Sequence, residues 1–135
     1  MLTLYYTIWI DCIVKIRNFD DYAWKLKSMM IMSFTMAIAY MVFITILENI
    51  IGSSFYELNL KNYIAKPWCD LFESLLLFFI PFVVINYFLI FYKNRYEILI
   101  ERYKYNNGKY VITFFLCCMA LPLLCFLLII IRNLL

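Results

Sequence analysis

The chain has no histidine, two glycines and three prolines among 135 residues, and only 16% of its side chains are charged. Without histidine it lacks the commonest ligand of haem and catalytic zinc and the usual general base near neutral pH, which narrows the available chemistry severely. Two glycines leave no material for a Gly-rich phosphate loop or for a collagenous or linker-like chain. Low charge with a mean hydropathy of +0.85 excludes intrinsic disorder. What is abundant is apolar: 67% of the residues are aliphatic, aromatic, Met or Cys, against about 45–50% in an ordinary soluble domain. One small globule cannot hide that excess, so the solvent this chain is built for is lipid.

Crossing roughly 30 Å of hydrocarbon takes about 20 consecutive apolar residues. Three charge-free stretches qualify, Met29 to Leu47, Ser74 to Tyr92 and Tyr110 to Ile131. A barrel would instead show repeated alternating segments of about ten residues. The fold class is therefore an all-α membrane protein, a single membrane domain with three transmembrane helices over 29–51, 70–105 and 109–132 and an external loop over 52–69.

The segment 1–27 is too charged for a full span, because Asp11, Lys15 and Arg17 follow the apolar run Met1 to Ile10. Thr3, Thr7, Asp11, Lys15 and Asn18 recur at helical steps, with Leu2, Tyr5, Trp9, Cys12 and Ile16 opposite. This pattern predicts an N-terminal amphipathic helix lying in the membrane interface, with Asp11 and Lys15 paired one turn apart. The competing arrangement is a short fourth span from Leu2 to Ile16, in which Asp11 faces other protein. No basic residue precedes the apolar run and no small-x-small site follows it, which argues against a cleaved signal peptide.

Lys and Arg number nine in the N-terminal segment and the second connection together, against three in the first connection and C-terminus. The positive-inside rule then puts the N-terminus in the cytoplasm. The basic residues alternate with Asp20, Asp21, Glu97 and Glu101, so they do not form a nucleic-acid surface.

Gly52 stands where a helix C-terminus wants positive φ, and Asp70 with Glu73 reads as an N-capping box for the second span. Glu48 and Glu73 close the first span and open the second on one side of the membrane. In an oligomer they would form an acidic ring at a cation-channel mouth, whereas singly they are explained by nearby water and by the helix N-terminus. Asn86 lies inside the second span, where an amide is tolerated mainly when it bonds across to another helix. Pro81 removes an N–H and frees the carbonyl of Leu77, predicting a bend, and Pro122 does the same in the third span. Ser33 and Ala37, four apart on the first span, allow close approach of a neighbouring helix.

Beyond the second span, Tyr96, Leu99 and Tyr103 keep helical spacing, and Glu97 and Glu101 have Lys93 and Lys104 within reach. The spacing predicts one helix continuing to about Tyr105, roughly 50 Å long at 1.5 Å per residue. Asn106, Asn107 and Gly108 supply the turn into the third span. The hairpin tip, with Lys93, Arg95, Arg102 and Lys104, is the best cytoplasmic docking surface the chain offers, or else a basic collar that only sets topology. The five cysteines have no metal-ligand spacing and their odd number argues against a disulfide framework. Neither a metal nor a cofactor is expected, and the tyrosines bracketing the spans fit an aromatic belt.

The stretch Ile85-Asn86-Tyr87-Phe88-Leu89-Ile90-Phe91-Tyr92-Lys93-Asn94-Arg95-Tyr96-Glu97, with Tyr5-Tyr6-Thr7-Ile8-Trp9-Ile10-Asp11, resembles a group of small multi-pass bacterial membrane proteins with no assigned activity. The resemblance implies a bacterial inner membrane and transfers no functional residue. With scattered carboxylates and no nucleophile–base pairing, no enzyme is expected. Two functions remain: a non-catalytic subunit or scaffold of a membrane complex, or a homo-oligomeric channel or membrane-disrupting effector. The partners in either case are the lipid bilayer and further copies or a larger complex, not nucleic acid.

Overall fold

A computed structural model describes the backbone of residues 2–54, 56 and 68–134, and the side chains of all of these except 128, 129 and 132–134. The connection expected over 52–69, with Asn59, Asn62 and the lysines at 61 and 66, lies largely outside the described residues, as does the side chain of Arg132. Among the described residues helices are joined by short turns and there is no strand. Helix α1 spans Leu2–Phe19, α2 Trp24–Ile51, α3 Trp68–Ser74, α4 Ile80–Asn86, α5 Arg95–Arg102 and α6 Lys109–Leu134. Three stretches are long and apolar enough to cross a membrane: α2 with 28 residues, the run Trp68–Arg102 with 35, and Lys109–Leu127 of α6 with 19.

The run from α3 to α5 is not one regular helix. Two π-helical turns, Leu75–Phe79 and Tyr87–Phe91, flank α4. Pro81 has no N–H to give Leu77, the preceding turn widens so that the Ile80 N–H reaches the Leu75 carbonyl, and the freed Leu77 oxygen accepts a 3.1 Å hydrogen bond from the Tyr56 hydroxyl. The bend foreseen at Pro81 thus takes the form of a π-turn whose orphan carbonyl is satisfied from outside the helix.

The expected continuation to Tyr105 is interrupted. At Tyr92 ψ swings to 127°, and Lys93 and Asn94 both take left-handed conformations, with φ 53° and 54°. Asparagine tolerates this region, whereas for Lys it costs roughly 1–2 kcal/mol. The chain turns there instead of projecting onward, and α5 packs against α1. Tyr6 and Tyr103 lie 5.8 Å apart between ring centroids, and Tyr96 packs edge-on to Trp24 at 5.2 Å.

The N-terminal helix also departs from expectation. Trp9, Ile10, Asp11, Cys12 and Ile13 are all buried, and five consecutive buried residues mean that the middle of α1 is enclosed on every side. It packs on α2, α5 and α6. The core joins Trp9, Ile10, Cys12 and Ile13 to Met32, Ile90 and Tyr96, so it sits at the end of the bundle where α2 and α6 begin. Toward the other end the spans expose their apolar side chains, Phe43, Ile50, Leu76 and Leu123 among them. A smaller aromatic group there, Tyr40, Tyr56, Phe78 and Phe82, fastens α2 to the π-turn.

Candidate functional site

Among the described residues, the polar side chains that the fold brings together across helices in its interior form two clusters, both involving α1. In the first, the Asn86 amide is 1% exposed, and its Nδ2 donates to Ser33 Oγ at 2.9 Å and approaches Met36 Sδ at 3.6 Å. The Tyr5 hydroxyl donates to Asn86 Oδ1 at 2.7 Å. One amide thereby ties α1, α2 and α4, and both of its ends are satisfied where water is excluded. Trp9 follows Tyr5 by one turn, its ring edge-on to Tyr5 at 6.5 Å, and its buried indole N–H has no acceptor among the described residues.

In the second cluster, the fully buried carboxylate of Asp11 accepts the backbone N–H of Asn106 at 2.6 Å and of Tyr110 at 2.9 Å. Tyr110 lies in the first turn of α6, whose N–H groups have no intrahelical partners and whose dipole favours an anion, and Asn106 lies in the turn that leads into it. Asp11 therefore does not pair with Lys15. Lys15 Nζ instead donates to Asn107 Oδ1 at 3.3 Å, and the Lys15 chain covers Gly108, where an added Cβ would meet Lys15 Cδ at 3.1 Å. Asn107 and Gly108 both have positive φ, as the turn reading requires. Asp11 does not lie on a solvated face as the helical spacing predicts, because its carboxylate serves another helix's terminus, 95 and 99 residues away, rather than water.

The remaining candidates are distributed. Ser33 and Ala37 are both buried within the chain, Ser33 bonded to Asn86 and Ala37 lining a groove between α2 and the first π-turn. The buried hydroxyls of Ser28 and Thr35 bond back to the carbonyls of Trp24 and Ile31 at 2.7 Å, so they line no passage. Gly52, at φ 74°, closes α2 by donating to the Glu48 carbonyl at 2.8 Å. The Glu48 carboxylate accepts the Tyr56 N–H at 3.2 Å, and Glu73 accepts from Cys69 Sγ at 3.3 Å. Asp70 is not an N-cap, because α3 already begins at Trp68 and places it in the first turn. Cys69, Asp70 and Glu73 bring three donor atoms within 4.8 Å of one another, a grouping the i, i+1, i+4 spacing contained and sequence reading overlooked. Pro122 lies inside α6.

Lys93, Arg95, Arg102 and Lys104 are all exposed around α5. Glu97 and Glu101 do not pair with Lys93 or Lys104, and the ion pairs among the described residues are Arg17–Asp21 and Lys27–Asp20. Lys27 donates to Asp20, which also accepts the Tyr22 N–H at 3.0 Å; the lysine contact holds the Asp20 carboxyl below its ordinary range. Lys25 Nζ stands 4.7 Å from the Tyr96 ring centroid, a cation–π contact that sequence spacing gives no means of finding.

No family model, no curated protein and no solved structure matches this chain.

Proposed function

We propose that the protein is a non-catalytic integral membrane protein acting as a subunit or scaffold of a membrane complex, set in a bacterial inner membrane with its N-terminus cytoplasmic. The observation that carries this reading is the bareness of α6, only 6% of whose most apolar window is buried by the rest of the chain, against 28% for α2. Two polar residues that hold helices together in lipid, Ser33 and Asn86, are consumed at the α1 end. The apolar length of α6 and the open grooves beside α2, one of about 670 Å³ along Phe34, Met41 and Leu75, face outward for a further copy or a larger partner. The exposed residues Lys93, Arg95, Arg102 and Lys104 are the docking surface of the cytoplasmic side.

The orientation rests on nine basic residues against three. Counting the N-terminal segment and the second connection together is supported by the contacts of Asp11 with Asn106 and Tyr110, which join these two regions. The alternative, a homo-oligomeric channel with Glu48 and Glu73 at its outer mouth, is weakened because Asn86 has its amide satisfied inside the chain and is not free to line a pore.

Purification in mild detergent, with mass and composition read out, followed by an ion-flux assay in liposomes, tests the choice. A flux-silent protein recovered with a larger partner, and released from it by Arg95→Glu with Arg102→Glu, is the expected result. A ring of identical chains whose cation flux falls on Glu48→Gln defeats the scaffold. With native cysteines removed, an impermeant thiol reagent applied outside should reach Ser54→Cys and not Asn107→Cys; the reverse pattern overturns the orientation.

A further inference from the structure

Where α1, α2 and α5 meet, Arg17, Trp24, Tyr96, Glu97, Ile100 and Glu101 line a pocket of about 290 Å³. It differs in kind from the grooves along the spans, whose surfaces are mainly apolar. Glu97 and Glu101 sit one turn apart on α5, a spacing at which like charges destabilise a helix. Neither has an ion-pair partner among the described residues, and Glu97 accepts a hydrogen bond from the adjacent Tyr96 hydroxyl at 3.0 Å. Lys25, the nearest lysine on α2, lies over the ring faces of Tyr96 and Trp24, at 4.7 and 5.4 Å from their centroids. Arg17 likewise rests over Trp24 at 5.8 Å, with only a 3.8 Å contact to the exposed Asp21. The pocket thus brings two carboxylates that make no ion pair among the described residues to the same lining as a guanidinium without a close bidentate anion, with two aromatic rings beside them.

Its position gives the ligand's setting. Trp24 opens α2, one of the helices long enough to cross a membrane, and around this corner Phe19, Tyr22, Leu26 and Ile98 are 60% or more exposed. Bare aromatic and aliphatic side chains beside charged ones at the end of a span match the headgroup layer of a bilayer.

We propose that this pocket binds the headgroup of a zwitterionic phospholipid bearing a phosphate and a primary ammonium. Arg17 takes the phosphate, Glu97 and Glu101 take the ammonium, and Trp24 and Tyr96 form the walls between them. The inference rests on the membrane reading of the three long helices and is independent of the scaffold role.

The test uses the full chain purified in mild detergent with equal amounts of phosphatidylethanolamine and phosphatidylglycerol, the lipid retained being counted by native mass spectrometry. One phosphatidylethanolamine per chain is expected to persist. Arg17→Ala, and Glu97→Gln with Glu101→Gln, should each lower the retained fraction about tenfold, as loss of a charge-assisted hydrogen bond implies. Arg17→Lys should keep most of it, and Lys109→Ala, exposed and outside the pocket, should change nothing; unaltered helicity in each variant separates loss of the site from loss of the fold. Equal retention of both lipids, an equal loss in Lys109→Ala, or displacement by soluble phosphoethanolamine at the lipid's concentration would overturn the proposal. Release of the chain from membranes by alkaline carbonate would instead remove the membrane reading beneath it.

Discussion

Asp11 and Tyr110, 99 residues apart in the chain, are joined by a 2.9 Å hydrogen bond from the Tyr110 backbone N–H to the Asp11 carboxylate. With the companion bond from Asn106, it makes a buried carboxylate the cap of a transmembrane-length helix. A charge enclosed by protein is tolerated when backbone dipoles replace its water, and the first turn of a helix offers a concentrated set of them.

Replacing Asp11 should therefore be costly in a graded way. Asp11→Ala is expected to destabilise the protein by about 3 kcal/mol, since two charge-assisted bonds vanish and two buried donors are orphaned. Asp11→Asn keeps one acceptor and should lose about half as much. Unfolding by denaturant in detergent micelles measures both; identical midpoints for wild type and Asp11→Ala would refute the assignment.

The Asn86 tie predicts coupling rather than a large single effect. Bonds between helices in lipid are worth about 0.6 kcal/mol on average and reach about 1.7. A double-mutant cycle over Asn86→Ala and Ser33→Ala should give a coupling energy of about 1 kcal/mol, while one over Asn86→Ala and the intrahelically bonded Thr45→Ala should give none.

Tyr56 and Pro81 should behave as partners although they are not in contact through their side chains. Tyr56→Phe removes the donor to the Leu77 carbonyl and should cost about 1 kcal/mol. In a Pro81→Ala background the restored N–H at position 81 can bond to Leu77 itself, so the same Tyr56→Phe change should cost little. Additive losses in the double variant would show that the π-turn does not arise from the proline.

Acid should loosen the turn between α1 and α2. The Lys27 contact holds the Asp20 carboxyl below its ordinary value of 3.8. A lowered folded pKa contributes stability that is present above that ordinary value and is lost as pH falls through the folded one. Titrating downward from pH 5 should release Lys27 from Asp20, and Asp20→Asn should flatten this acid limb. Lysine Nζ chemical shifts followed by NMR report the release, and an unchanged limb in Asp20→Asn would count against the pairing.

What could be read from the sequence was whatever lipid forces on a chain locally. A lone amide in an apolar run must bond to another helix, and Asn86 does; Gly52 and the Asn107–Gly108 turn follow from positive φ, and three long apolar helices follow from composition. The failures were long-range or conformational. Asp11 carries no mark of the helix terminus it will cap, so a buried charge was read as a solvated one. Lys93 is a good helix former with no turn signature, and only Asn94 beside it hinted at left-handed backbone, so the reversal that folds α5 onto α1 stayed hidden behind unbroken helical spacing. The mixed-charge corner of Arg17, Glu97 and Glu101 depends on that reversal and was illegible for the same reason.

The capping of α6 by Asp11 also imposes a schedule on biosynthesis. Asp11 leaves the ribosome 95 residues before Asn106 does, which at about 5–20 residues per second is a delay of roughly 5–20 s. During that interval its carboxylate lacks the helix terminus it serves and is best left in water, so α1 does not take its enclosed place while α2 is being made. Of the two segments, the one made first is thus the one that must wait, and α1 settles into its enclosed place only once the start of α6 has been made.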